Sequence, residues 1–300
     1  MEENASIILV SYNSAKLILQ NLEQIVKLPY QIIVVDNASN DQTVQKIKNR
    51  YPSVKVIASE KNLGYGAANN LGVKEASKEY LVLLNVDAFI TEEAIIEAID
   101  TLKRFPSVGL IGGMLIGLDG KLQPSKRRYP TFKRRFLQKF GLADKWPKSP
   151  FFGEAEMTWV NPNIPQYVDW LPTAFAVIRK ELFERVGGFD ERLFLYYEDL
   201  DLCRRINEAG YKVLYWPLIK ITHIGGGASV SDKLQAYEIS SAIRYHKIHD
   251  GFKGILGYLF SEGAFHFLRA LKHSFPGGIK EKRDSSINAI KEMYANLVRM

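Results

Sequence analysis

ASIILVSYNSAKLILQNLEQIVKLPYQIIVVDNAS, residues 5–39, holds a strand, a helix and a second strand in immediate succession. IILVSY (7–12) is a short apolar run. Ser14 then precedes a stretch in which Ile18, Leu22, Ile25 and Val26 fall on one helical face. IIVVD (32–36) is a second apolar run, closed by the turn-rich NASND (37–41). Apolar runs without alternation are strands buried on both faces, as a parallel sheet covered by helices requires.

The same alternation continues outward. VKVIA (54–58) predicts a third strand, a Gly/Asn-rich loop leads into a helix near 66–77, and YLVLLN (80–85) predicts a fourth strand. A helix over 92–104 turns Ala94, Ile95, Ala98, Ile99 and Leu102 inward, and Asp119-Gly120 between short apolar runs signals a hairpin. Farther on, VDWLPTAFAVI (168–178), YKVLYW (211–216) and IKIT (219–222) read as strands, with helices over 180–186 and 199–209. Residues 234–300 read as mainly helical, broken at Pro276-Gly277-Gly278. The expected class is α/β, a mostly parallel Rossmann-like sheet over residues 1–229 with a C-terminal helical extension over 230–300.

Composition bounds the function. Of 300 residues, 46% are hydrophobic and 24% charged, which excludes a disordered or fibrous chain. The single cysteine, Cys203, excludes a disulfide framework within the chain and a multi-cysteine zinc site, and fits a reducing, cytoplasmic compartment. MEENASIILV has two acids and no basic region, so no secretory leader is expected, and no apolar run reaches the length of a membrane span. The net charge of +7 is concentrated: residues 121–148 carry ten basic residues and one acid, leaving the rest of the chain slightly negative. Phe132, Phe136 and Phe140 recur at spacing four within that segment, which makes it a candidate for peripheral contact with an anionic membrane. A solvated charged face is the plainer reading of the same run.

Ligands of open parallel sheets bind beyond the carboxyl ends of the strands. Those ends carry Ser11-Tyr12-Asn13, Asp36-Asn37 and Asn85-Val86-Asp87. Each could be an ordinary cap or loop residue; their placement on one edge is harder to explain that way. Asp36 suits a ribose hydroxyl or a base imide. Asp87 suits a hard divalent cation, and His223, after a strand and before Gly225-Gly226-Gly227, is a candidate second ligand. In the helix near 199–209, Leu202, Cys203 and Ile206 follow Asp199 at i+3, i+4 and i+7, so Asp199 opens the inward face. Glu198 precedes it, where an acid also complements the helix dipole. Asp201 is expected on the surface, paired with Arg204 or Arg205. Gly64-Tyr65-Gly66-Ala67-Ala68-Asn69 lacks the third glycine of a dinucleotide fingerprint and follows the wrong strand.

Taken together, IILVSYNS (7–14), IIVVDNASND (32–41), NLGYGAANNLG (62–72), LLNVDAFI (83–90), GGFDERLFLYYEDLDLCRR (187–205) and THIGGG (222–227) resemble glycosyltransferase family 2, inverting enzymes of the GT-A fold, and within it the bacterial rhamnosyltransferase-like branch. The resemblance spans residues 5–229. It implies that Tyr12, Asp36, Asn62, Asn69 and Asn85 serve the nucleotide, that Asp87 (of an N-x-D version of the D-x-D motif) and His223 hold Mn2+ or Mg2+, and that Asp199 is the catalytic base with Glu198 beside it. Val86 and Leu171-Pro172-Thr173-Ala174 depart from the branch's usual residues, the latter near the sugar and acceptor.

The implied reaction is transfer of a sugar from a nucleotide-diphosphate donor to a hydroxyl of a glycan or lipid-linked acceptor in cell-surface polysaccharide synthesis. Deoxythymidine-diphosphate rhamnose is the first donor expected and a uridine-diphosphate hexose the second. The location implied is cytoplasmic, peripheral on the inner face of the cell membrane, with no nucleic-acid partner. A sugar-nucleotide pyrophosphorylase is the rival enzyme, although YNSAKL (12–17) stands where its glycine-rich loop would be. A non-enzymatic module binding anionic surfaces is the rival outside catalysis. A glycosidase shares the two carboxylates but needs neither nucleotide nor metal.

Overall fold

A computed structural model describes residues 4–225 and 231–298. The chain runs β1 (Ala5–Ser11), α1 (Ala15–Ile25), β2 (Gln31–Asp36), α2 (Thr43–Arg50), β3 (Lys55–Ala58), α3 (Tyr65–Lys74), β4 (Tyr80–Asn85), β5 (Ala88–Phe89), α4 (Glu92–Arg104), β6 (Val108–Ile116) and β7 (Leu122–Gln123). It continues through α5 (Phe132–Lys139), α6 (Leu142–Lys145), β8 (Gln166–Val168), β9 (Phe175–Arg179), α7 (Lys180–Arg185), α8 (Glu198–Glu208), β10 (Lys212–His223), α9 (Asp232–His249), α10 (Gly251–Lys272) and α11 (Lys280–Val298).

The sheet order is β3-β2-β1-β4-β9-β6-β10-β5, with β7 on β6 and β8 on β10. The first four strands are parallel, β6 and β10 are parallel, and β9 lies antiparallel between β4 and β6. Alternation within each strand sorts the two faces. Ile7, Leu9, Val34, Val82 and Leu84 pack with Ile18, Leu22 and Ile25 of α1 and with Ala94, Ile95 and Ala98 of α4. On the other face α3 comes so close that a Cβ on Gly72 would lie 2.7 Å from Ile8 and 3.2 Å from Val35. The Asp119-Gly120 turn joins the antiparallel β6 and β7, with Gly120 at φ 75°.

Three expected elements differ in detail. The apolar run 168–178 is two strands, β8 and β9, separated by residues 169–174, because Pro172 has no N–H to give a ladder and the Thr173 N–H is directed to a side chain instead. YKVLYW and IKIT form one strand, β10, whose register against β6 shifts between Tyr215 and Lys220, around Pro217. The helix expected near 66–77 is Tyr65–Lys74.

Contacts divide the chain into two compact units. Of the described residues, the first takes those up to Arg127, Asn161–Phe194 and those from Glu198 to Gly225. The second takes Arg128–Val160, Leu195–Tyr197 and the helices from α9 onward. The basic segment therefore groups largely with the C-terminal helices and not with the sheet. The physical reason is aromatic packing of α5 on α10: Phe132 on Phe260 at 5.7 Å and Phe140 on Phe265 at 6.0 Å between ring centroids. The expected boundary at 229/230 falls outside the described residues. The core of the second unit is Ile239, Ala242, Ile243, Tyr258, Ala289 and Met293.

Much of the segment's charge is neutralised inside this unit. Lys133 and Arg134 pair with Glu154 at 2.6 and 2.7 Å, and these contacts pull the Glu154 carboxyl down to about 2. Arg135 and Lys139 pair with the buried Glu262 at 2.6 and 2.9 Å. No helix among the described residues is long and apolar enough to cross a membrane.

Candidate active site

The strand ends of the first unit place the expected nucleotide residues. β1 and β2 pair up to Ser11 and Asp36, so Tyr12, 49% exposed, and the buried Asp36 emerge side by side. Asp36 Oδ2 accepts from the Ser39 N–H at 3.0 Å, while its buried Oδ1 has no protein donor. Asn69 on α3 donates to the Tyr65 carbonyl and likewise keeps a buried Oδ1 without a donor. Asn85 Oδ1, at the end of β4, is a third such acceptor. Buried acceptors without donors are costly unless something completes them.

Asn62 is different. Its Oδ1 accepts from Asn37 Nδ2 and from the Gly64 N–H, both at 2.9 Å, so it holds the loop entering α3. Gly64 is the hinge of that loop: it sits at φ 85°, and a Cβ there would lie 2.2 Å from the Phe194 carbonyl oxygen. The Tyr65 N–H donates to that same oxygen at 3.1 Å, which ties α3 to the chain approaching α8.

Asp87 and His223 are brought together by the β5–β10 ladder, in which His223 pairs with Ala88. His223 Nε2 lies 3.4 Å from Asp87 Oδ1. Gln123 of β7 grips the histidine twice: its Nε2 donates to the His223 carbonyl at 2.9 Å, and its Oε1 lies 2.6 Å from Nδ1. The first contact fixes the amide so that Oε1 is the acceptor. With Oε1 as the acceptor, Nδ1 is the donor of that hydrogen bond, and Nε2 faces the Asp87 carboxylate. Burial pushes the Asp87 carboxyl up, but the hydrogen bond and charge of His223 outweigh it, and the net shift is downward. Asn21 of α1 supports this corner from beneath, donating to the Ala88 carbonyl at 2.6 Å. Of THIGGG, Gly226 and Gly227 lie outside the described residues.

Glu198 and Asp199 open α8. The Asp199 Oδ2 accepts from the Thr173 N–H at 3.0 Å, and the Asn85 N–H donates to the neighbouring Ala174 carbonyl at 3.0 Å. The 171–174 stretch thus links the end of β4 to Asp199. Tyr65 completes the link by donating its hydroxyl to the Thr173 carbonyl at 3.2 Å. Burial raises the carboxyl of Asp199, and the Thr173 N–H holds it back. Burial and then the charge of Asp199 raise Glu198 much further, and no donor meets its Oε2. Both carboxyls are pushed up, Glu198 the more strongly, while the Thr173 N–H favours the charged form of Asp199. Asp201 is not on the surface: it is buried and salt-bridged to Arg205, while Arg204 pairs with Glu208. The i+4 spacing predicted the partner; Arg205, which also donates to the Val186 carbonyl, covers the pair.

Sequence reading did not single out Gln123, Asn21 or Tyr65, and took Thr173 only as part of a departure from the family pattern. An inward-facing asparagine beside Ile18 and Leu22 was the available signal for Asn21; Gln123 had none.

The family model of glycosyl transferase family 2 matches residues 6–163, more than half of the chain. The chain belongs to glycosyltransferase family 2. It is 29% identical over 247 residues to an N-acetylglucosaminyl-diphospho-decaprenol L-rhamnosyltransferase of Mycobacterium tuberculosis, covering 78% of this chain and 80% of that protein. It is 26% identical over 232 residues to the rhamnosyltransferase WbbL of Escherichia coli, covering 72% and 81%. In fold it is similar to the mannosyltransferase PcManGT of Pyrobaculum calidifontis, solved with GDP-Man and Mn2+, at a TM-score of 0.56, 17% identity and coverage of 100% of this chain and 87% of that one. S. aureus TarS 1–349, solved with UDP, gives a TM-score of 0.56 at 17% identity, covering 98% and 81%. These two likenesses establish the GT-A architecture of this family 2 glycosyltransferase.

Proposed function

We propose that this glycosyltransferase is inverting and divalent-cation-dependent, and that it moves a sugar, rhamnose first among candidates, from a nucleotide-diphosphate donor to a hydroxyl of a lipid-linked glycan during cell-surface polysaccharide synthesis. The observation that carries the reading is the carboxylate pair on α8, with Asp199 held by the Thr173 N–H and Glu198 buried beside it, its carboxyl pushed up by burial and by the charge of Asp199. The two rhamnosyltransferase relatives support the donor, and the diphospho-decaprenol in the name of one supports a lipid-linked acceptor. An acceptor of that kind fits an enzyme working on the cytoplasmic side, peripheral at the membrane.

Asp36 and Tyr12 receive the nucleoside, with the open acceptors of Asp36 and Asn69 completed by its hydroxyl and N–H groups. Asn85 orients the donor at the end of β4. Asp87 and His223 fit one cation: cis ligands of a six-coordinate ion at about 2.1 Å lie about 3 Å apart, close to the 3.4 Å observed. Bound there, the cation supplies positive charge against the diphosphate. Asp199 takes the proton of the acceptor hydroxyl as its oxygen bonds to the anomeric carbon. The bond from that carbon to the diphosphate oxygen breaks on the opposite face, and its electron pair leaves with the nucleoside diphosphate. Configuration inverts, and no covalent sugar–enzyme bond forms.

A panel of nucleotide sugars, titrated with and without Mn2+ and then tested for transfer to a polyprenyl-diphosphate sugar, checks the reading. One donor should bind in the low micromolar to millimolar range typical of enzymes and give nucleoside diphosphate and an inverted glycoside only with the cation. Pyrophosphate release from a nucleoside triphosphate and a sugar phosphate would replace it with a pyrophosphorylase. Absence of any nucleotide binding would replace it with a binding module.

A further inference from the structure

We propose that the outer face of α10 is a docking surface for an anionic lipid bilayer, with the helix lying in the plane of the headgroups. The basic segment 121–148 does not supply this surface, since Lys133, Arg134, Arg135 and Lys139 are committed to Glu154 and Glu262. The inference deepens the lipid-linked acceptor reading and takes its purpose from it.

α10 buries Ile255, Tyr258, Glu262 and His266 and turns the opposite side to solvent. That side carries Phe252 (71% exposed), Leu256 (49%), Phe260 (65%), Phe267 (60%), Leu268 (49%) and Leu271 (45%). At 3.6 residues per turn these six fall within an arc of about 160°. Phe132 of α5, 46% exposed and packed on Phe260, widens the patch at its middle. The exposed apolar area is on the order of 600 Å², at or beyond what monomeric soluble proteins leave uncovered.

Charge names the occupant. Within α10 the chain has one acid, Glu262, and three bases, Lys253, Arg269 and Lys272; Lys280 opens α11, followed by Glu281. Glu262 is buried and already faces Arg135 and Lys139. The apolar face is therefore flanked by cations with no exposed acid on the same helix. A second copy of this chain would oppose like charges across such an interface, whereas anionic headgroups satisfy the lysines while the rings enter the acyl boundary. α10 is not long and apolar enough to cross a membrane.

The test is sedimentation of the full chain with vesicles of phosphatidylcholine alone or with one-third phosphatidylglycerol, at low and high salt. Binding should require phosphatidylglycerol and weaken with salt. Phe252→Ser with Phe267→Ser should weaken it at least about tenfold, and Lys253→Gln, Lys272→Gln and Lys280→Gln together by about 100-fold. Lys145→Gln with Lys148→Gln in the basic segment should leave it within about twofold. All substituted side chains are exposed, and the lysine variant keeps the test open should the phenylalanine variant misfold. Wild type remaining in the supernatant, equal binding by both α10 variants, or a dimer in the ultracentrifuge abolished by the same substitutions would overturn the proposal, the last by giving the face to a second copy. Nucleotide titration without vesicles reads the chemistry separately: vesicle binding with no nucleotide binding would sink the transferase reading and uphold the docking face.

Discussion

Two carboxylates in sequence serve different ends because their surroundings differ. Asp199 accepts the Thr173 N–H, whereas Glu198 is pushed up by burial and then by its neighbour's charge. Glu198→Gln should therefore keep the transfer rate within about tenfold, since burial and the charge of Asp199 push Glu198 toward its neutral acid, which an amide resembles. The base must be ionised to work, and burial has raised it. The rate should fall as pH drops through a value above the ordinary 3.8 of an aspartate. A pH–rate profile with its acid limb at or below 3.8 would contradict the assignment. Gln123 acts through His223. Gln123→Ala should raise the Mn2+ concentration needed for half-maximal donor binding by about 10–100-fold, and Gln123→Glu, which keeps an acceptor at Nδ1, should restore most of it. A purely structural role would alter thermal stability without this selective change in metal dependence.

The elements that position the site were legible in sequence where apolar periodicity is strong and illegible where single hydrogen bonds decide. β1, β2 and β4, whose residues are nearly all buried, were read from runs of Ile, Leu and Val. In α8 the spacing of Leu202, Cys203 and Ile206 pointed to Asp199 as the inward acid, whereas Glu198 and Asp201 are the buried ones and Asp199 is half-buried. The break at 169–174 was missed because it turns on Thr173 giving its N–H to a residue 26 positions away. Asn62 was assigned to the nucleotide by family likeness, yet its oxygen is engaged by Asn37 and Gly64. The α3 entry offers a test: Gly64→Ala adds a Cβ against the Phe194 carbonyl at a positive φ and should cost roughly 2–3 kcal/mol, seen as a lowered Tm. In the second unit His266 lies buried on α10 beside Glu262, with Lys139, Arg269 and Glu238 acting on it, and burial pulls it down to about 4. The unfolded chain then binds a proton that the folded one refuses between pH 6.5 and 4, so stability falls as pH drops through that window. His266→Gln should flatten the slope in urea denaturation across it, with Glu154 and other carboxylates still contributing below.

At the scale of the whole molecule, a net charge of +7 concentrated in residues 121–148 pointed to an anionic partner for that segment. The fold reassigns that role. Four of the ten basic residues of 121–148 are matched by buried or half-buried glutamates, while Lys253 and Lys272 of α10 stay exposed beside its apolar face. Sequence could show the charge but not its partners, since Glu154 and Glu262 lie far along the chain from the residues they neutralise.

The central claim is that Asp199 is the base of an inverting transfer. Its most direct measurement is the single-turnover transfer rate of Asp199→Asn beside its donor affinity. Asparagine keeps the shape and the contact with Thr173 but has no basicity, so transfer should fall by roughly 10² or more with donor affinity within about twofold of wild type. Near-normal transfer by Asp199→Asn, with the same inverted product, would contradict the account.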